Sequence, residues 1–376
     1  MPDAPSIAPA AAPRLQVLFV DDEPRVLEAL RVALRGQRAR WTMHFAGSGE
    51  AALALLPLQP FDVIVSDMRM PRVDGAQVLR EALRLQPGAA RLVLSGYAES
   101  ESAVRTVSVA HQFLTKPCDV ATLVNTIERT QAINELVSDR ALQARLGRIT
   151  TLPSPPRTFQ AVLAALADGQ SDAGALALII ERDVAMCAKM LQLVNSAFFG
   201  LPRRVANIEE AIIYLGFDMV RNLVLVAEVF RSGGEDLAAL EWHSLTVAAV
   251  ARRLATPAAA NDACLAGMLH DLGTLALAGA AEHASHPKVG AYLLGLWGLP
   301  WAIVEAVANH RAPQEVAVLA PGALTAVAAA DALVHEVEGR PLPEGLLRHL
   351  EALRLPDGTL AGWRAIARSL LAAGTV

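Results

Sequence analysis

Five short apolar runs near the start of the chain constrain its fold more than any other feature. They are LQVLFV (15–20), WTMHF (41–45), FDVIVS (61–66), RLVLS (91–95) and HQFLT (111–115), each bounded by polar, Gly or Pro residues. Between them, from Leu15 to about Glu128, lie stretches of helical periodicity. Strands alternating with helices form a parallel sheet covered on its faces by the helices, so five strands and five helices are expected here. Pro24 suits a first helical position, and Ser48 sits where a helix cap belongs.

Open parallel sheets place ligands beyond the carboxyl ends of their strands. Those ends carry Asp21-Asp22-Glu23, Asp67, Ser95 and Lys116-Pro117. Carboxylates packed closely repel and raise one another's pKa unless a hard cation sits among them. Mg²⁺ is held by a few carboxylates plus waters, so the cluster predicts a magnesium site. With the cation in place, Asp67 would act as a nucleophile toward a phosphoryl group, with Lys116 sharing the charge and Ser95 bonding a phosphoryl oxygen.

The segments FVDDEP, VIVSDMRMPRVDG, LVLSGY and FLTKP resemble the landmark motifs of response-regulator receiver domains over about 115 residues. The resemblance implies a flavodoxin-like, doubly wound α/β fold over 15–131, with Asp67 as phosphoacceptor and a sensor histidine kinase as donor. It implies Asp22 and Asp67 as direct Mg²⁺ ligands, Asp21 acting through water, and the backbone carbonyl of Arg69 completing the set. Ser95 and Lys116 would be the switch hydroxyl and lysine, and Phe113 the aromatic switch.

Beyond Asp119 helical spacing continues to Thr150, as one long helix or two abutting ones, of which 132–150 would be a linker running from the switch face toward the next domain. TLPSPPRT (151–158) breaks it, because three prolines in four residues cannot continue a helix. A second, all-α domain is expected over 151–340. Within it one helix is read over 178–200, and a pair over 208–225 broken at Gly216. A further helical segment follows at 341–376. The first 14 residues, rich in proline, read as a disordered leader.

Composition narrows the function. A net charge of −5 argues against a nucleic-acid footprint, while leaving room for local basic patches. No apolar stretch reaches the roughly 18 residues of a membrane span. Cys118, Cys187 and Cys264 are far apart and odd in number, which reads as buried thiols of a cytoplasmic protein.

Five of the nine histidines fall between His243 and His310. With Asp271 and Asp331 they could share a cation from separate helices. The pattern of His243, the His270-Asp271 doublet and Asp331 resembles the HD superfamily of metal-dependent phosphohydrolases. LPSPP, NSAFFG, AIIYLG and LWGLPWAI carry the closer resemblance to its HDOD branch, whose members commonly act as signalling or interaction modules. His286 and His310 could add a second metal, and Fe, Mn or Zn is expected if the site is occupied. The tandem histidine and Gly-Tyr-Pro segment of HD-GYP phosphodiesterases is replaced by Asn309-His310-Arg311-Ala312-Pro313.

Two readings stay open. In the first, phosphorylation of Asp67 alters the face around the fourth helix, fifth strand and fifth helix, the linker helix carries the change by rotation, release or homodimerisation along it, and the output domain acts by contact with a downstream protein. In the second, the output domain hydrolyses a nucleotide or cyclic dinucleotide at the HD-type site. Taken singly, Asp331, His283 and His335 read as packing residues.

Overall fold

A computed structural model of the chain describes residues 14–96, 109–116, 118–137, 139–149, 161–162, 165, 172–195, 204–226, 235–277, 285–317 and 320–372. The leader, the 151–158 break, Pro117, His283 and the stretch between the fourth and fifth strands lie outside these residues, as do the side chains of Ser95 and Phe113.

The first part is a five-stranded parallel sheet in the order β2-β1-β3-β4-β5, made of β1 (Leu15–Val20), β2 (Trp41–Ala46), β3 (Val63–Asp67), β4 (Ala90–Gly96) and β5 (Gln112–Lys116). Val17, Leu18, Val63, Ile64, Leu92 and Val93 are fully buried, as apolar runs covered on both faces should be. Strand order reverses between β1 and β3, so the crevice at their carboxyl ends holds Asp21 and Asp67. β3 starts later than its apolar run, because the Phe61 N–H is taken by the Gln86 side chain at 2.7 Å.

Helices α1 (Pro24–Ala33), α2 (Gly49–Leu55), α3 (Gly75–Leu85) and α4 (Val120–Leu136) accompany the sheet. Pro24 opens α1, and the Ser48 hydroxyl accepts the Ala51 N–H at the start of α2. The linker is not a straight extension. α4 stops at Leu136, and α5 (Arg140–Leu146), capped by Asp139, turns back so that Gly147 lies against Pro87 at the head of β4.

The second part is helical: α6 (Ala173–Ile180), α7 (Val184–Val194), α8 (Ile208–Val226), α9 (Glu235–Leu254), α10 (Ala260–Leu269), α11 (Leu272–Leu277), α12 (His286–Leu296), α13 (Trp301–Asn309), α14 (Ala323–Val337), α15 (Glu344–Ala352) and α16 (Thr359–Ala372). The single helix expected over 178–200 is two, because the Asp183 carboxylate accepts the Met186 N–H and starts α7 afresh. α8 breaks at Gly216, whose φ of 74° suits glycine. Asn195 ties the end of α7 to both backbone groups of Val205. Of the three cysteines only Cys187 is fully buried; Cys118 and Cys264 are half-buried. Among the described residues, no helix is long and apolar enough to cross a membrane.

The two parts meet along α12. Gly295 lies against Ile133 of α4, Gln112 of β5 donates to the Leu296 carbonyl at 2.9 Å, and Arg129 of α4 donates to the Leu299 carbonyl at 2.5 Å. Arg204, ahead of α8, donates to the intervening Gly298 carbonyl. Leu123, Ile127 and Ile133 on α4 are buried.

Arg91 at the start of β4 is 1% exposed and faces no carboxylate among its described partners. Its guanidinium instead donates to the carbonyls of Val109, Pro87, Ala89 and Gly147 and to His111, and burial pushes its pKa down to about 10, which leaves it charged. It pins α5 to the sheet. Arg91→Ala would orphan several buried carbonyls, and we expect a loss of about 3 kcal/mol. A urea midpoint that falls with an unchanged m-value would show it.

Candidate functional sites

At the sheet's carboxyl edge the Lys116 ammonium lies between two buried carboxylates. It donates to Asp21 at 2.7 Å and also to Asp67, whose other oxygen accepts the Arg69 N–H at 2.7 Å. Burial pushes the Asp67 carboxyl above its usual range, against the pull of Lys116. For Lys116, burial works to lower the pKa, but the bonds to Asp21 and Asp67 outweigh it and raise it. The lysine therefore offsets part of the negative charge that the sequence reading divided between it and a metal. Asp22 is half-buried beside them and opens onto a concavity lined by Met68, Arg69 and Asp74. All these donors are hard oxygens, which suits Mg²⁺. Ser95 pairs with Thr115 and Phe113 with Val93 through the backbone, which places both residues on the strands leading to this edge.

The helical part brings seven side chains together: His243 from α9, His270 and Asp271 from the α10–α11 junction, His286 from α12, His310 after α13, and Asp331 and His335 from α14. Ligand atoms fall into four groups, each within 4.8 Å, and neighbouring groups share members. His243 Nε2 lies 3.2 Å from Asp331 Oδ1 and 3.8 Å from Asp271 Oδ2. His286 Nε2 lies 3.0 Å from Asp271 Oδ1, yet without hydrogen-bond geometry, since both atoms lack a hydrogen-bond partner.

Helix termini aim these groups. His270 and His310 each follow the last residue of a helix, and their Nδ1 atoms bond carbonyls three residues back, Gly267 at 2.7 Å and Val307 at 2.9 Å. Those carbonyls would otherwise be helix-end orphans. A carbonyl only accepts, so Nδ1 carries a proton in both rings and Nε2 points inward, where a metal can take its lone pair. For His270 burial works to lower the pKa, but the Asp271 carboxylate beside it and then Asp331 outweigh it and raise it. Burial, and then the neighbouring His270, push the His310 pKa down to about 4, so this ring is neutral. Burial tends to raise the pKa of Asp271 and Asp331, but His270 and His286 around the first, and His243 around the second, hold both far below the usual carboxylate range.

His270 Nε2, Asp271 Oδ1, His286 Nε2 and His310 Nε2 are buried with no hydrogen-bond partner. Each such atom costs about 1–3 kcal/mol when left unmatched. A mixed imidazole and carboxylate set suits Fe, Mn or Zn. The donors fit a metal centre of two neighbouring positions.

Of the residues singled out from sequence, His243, His270, Asp271, His286, His310 and Asp331 all converge. Asn309 does not: its side chain is taken by Lys288 at 2.8 Å and by the Glu305 carbonyl. His335, read as packing, belongs to the cluster, 3.4 Å from Asp331. Its Nδ1 is held by Glu338 at 3.1 Å, the carboxylate–histidine arrangement that orients metal ligands. The signal was present: Asp331 and His335 are spaced i, i+4 on one helix and share a face.

Close approach of α11 and α12 sets His286. A Cβ on Gly273 would lie 1.9 Å from the His286 carbonyl oxygen and 2.7 Å from Gly290 N. Gly273→Ala should therefore separate the helices, carry His286 away from Asp271 and weaken metal binding about tenfold or more. Metal titration of the apoprotein reads this directly, and unchanged affinity would show that His286 is not a ligand.

Family models match the chain in three places: a response regulator receiver domain at residues 17–128, an HDOD domain at 152–285 and an HD domain at 241–347. The HD match contains all seven clustered residues. The hydrogenase transcriptional regulatory protein HoxA of Cupriavidus necator is 36% identical over 125 residues, which is 33% of this chain and 25% of that protein. The transcriptional regulatory protein ZraR of Escherichia coli is 33% identical over 119 residues, 31% of this chain and 26% of that protein. The chain thus spans about a quarter of the length of these relatives. Among solved structures, the MmoQ response regulator of Methylococcus capsulatus is similar at 24% identity over 57% of this chain and 98% of that one, with a TM-score of 0.45. The signal receiver domain of an HD domain-containing protein from Pseudomonas fluorescens is 24% identical over 33% of this chain and 98% of that one, with a TM-score of 0.31.

Proposed function

We propose that this chain, a response regulator that joins a receiver domain to an HD-type output domain, accepts a phosphoryl group on Asp67 and thereby sets the activity of a metal-dependent phosphohydrolase. One observation carries the reading: imidazole and carboxylate donors meet in a buried cluster where four of their atoms find no protein partner. An interaction module whose hydrolase site had eroded would have no need to keep them. Metal ions bound there would lower the pKa of a coordinated water and polarise a phosphoryl oxygen. Asp271 and Asp331 stay carboxylates, and His310 stays neutral.

At the other site Asp67 attacks the phosphorus of a phosphohistidine on a sensor kinase, and the P–N bond breaks as the imidazole leaves. Asp21, Asp22, Asp67 and the Arg69 carbonyl would hold Mg²⁺, which screens the carboxylates from the incoming phosphoryl group. Lys116 must then turn from Asp21 and Asp67 toward the acyl phosphate, with Ser95 and Phe113 following. Lys116 ends β5 and Gln112 begins it, so a shift of this strand reaches α12 through the Gln112–Leu296 bond. α12 spans about 16 Å, and its first residue is the ligand His286. One helix therefore touches both the switch strand and the metal cluster.

Acetyl phosphate and Mg²⁺ should label the wild-type chain as an acyl phosphate and leave Asp67→Asn unlabelled; equal labelling would refute the acceptor. Purification without chelators should yield bound Fe, Mn or Zn, with metal and phosphoester turnover both lost in His270→Ala. Metal-free wild-type protein would instead favour an output domain that acts by contact with a downstream protein. Arg129→Ala combined with Gln112→Ala should leave Asp67 labelling intact while reducing the effect of phosphorylation on turnover several-fold.

A further inference from the structure

We infer that the substrate of the metal site is a compact phosphomonoester, seated by Arg311 and Arg340 in a pocket whose outer wall is the C-terminal segment. This deepens the hydrolase reading and rests on it. A cavity of about 260 Å³ opens onto His310, Asp331 and His335, with Arg311 and Arg340 at its sides and Leu346 of α15 across from the ligands. Its volume lies below the roughly 300–1,000 Å³ that drug-sized ligands occupy, a size on the scale of a mononucleotide that leaves much of a cyclic dinucleotide outside.

Charge selects the same class. Asp271 and Asp331 bring two negative charges, fewer than two divalent ions would supply, and the arginines add two more positive charges. A dianionic monoester answers that surplus better than a monoanionic diester. Both arginines are exposed. Arg340 forms a loose ion pair of 4.0 Å with the exposed Glu338, which offsets part of its charge and leaves its fork able to turn to phosphate.

The wall is fixed rather than loosely apposed. His349 of α15 bonds the Thr325 hydroxyl of α14 at 2.9 Å. Arg364 of α16 grips Glu336, the neighbour of ligand His335, through two bonds of 2.8 and 2.7 Å. The C-terminal helices are thus clamped to the helix that supplies two ligands, and they hold the pocket at its size.

Calorimetry on the full chain loaded with Mn²⁺, using adenosine 5′-monophosphate as probe, tests the assignment. Arg311→Ala and Arg340→Ala should each weaken binding about tenfold or more, with metal content unchanged by mass spectrometry. Arg→Lys variants should recover only part of it. Hydrolysis of p-nitrophenyl phosphate should exceed that of bis-p-nitrophenyl phosphate, and cyclic di-GMP should bind more weakly than the monophosphate. Wild-type affinity for the monophosphate in both alanine variants, or tighter binding of cyclic di-GMP, overturns this assignment while leaving the metal centre standing. A wild-type chain that takes up no metal overturns the hydrolase reading and this one with it.

Discussion

Three imidazole nitrogens and a carboxylate oxygen, buried without partners at the centre of an apolar helical bundle, set the terms for the second half of the chain. Such atoms are tolerated only where something else completes them, because each loses its water on burial. Helices α9, α10, α12, α13 and α14 all direct a terminus or a face at this point. Val247, Leu269, Val304, Val327 and Ala329 are fully buried, so the matter packed around the cluster is largely apolar. The surrounding core supplies the low dielectric that strengthens every electrostatic interaction inside it.

The acidic edge of the sheet answers the same problem differently. There Lys116 lies against Asp21 and Asp67 and offsets one of their two charges. Around Asp271 and Asp331 the closest described partners are imidazoles. The two centres are joined mechanically. β5 and α4 hold the carboxyl end of α12, and the amino end of α12 is His286. Arg91, solvated by backbone carbonyls and by His111, fixes the end of α5 onto the head of β4, so that stretch of the linker braces the first part.

Much of this was legible before any coordinates. Apolar runs bounded by turn residues located all five strands within two residues, and the chemistry at their ends followed from where parallel sheets bind ligands. Six of the seven clustered donors were marked by type and by the His270-Asp271 doublet. His335 was passed over because a single histidine on an apolar helix is usually packing, and only the arrival of Glu338 and Asp331 beside it changes that. The break at Asp183 was hidden in an unbroken apolar pattern, since a capping carboxylate looks like any polar residue on a helix.

What the sequence determined by itself was local: periodicity 2 or 3.6, helix starts and stops, and which residues carry charge or lone pairs. Tertiary structure alone decided that α5 folds back, that α4 meets α12, and that ligands from five helices point at one place. Those outcomes depend on long-range packing, such as Gly273 allowing α11 to touch the backbone of α12. No short window of sequence reports a contact between residues far apart along the chain, because its free energy arises only when both surfaces leave water together.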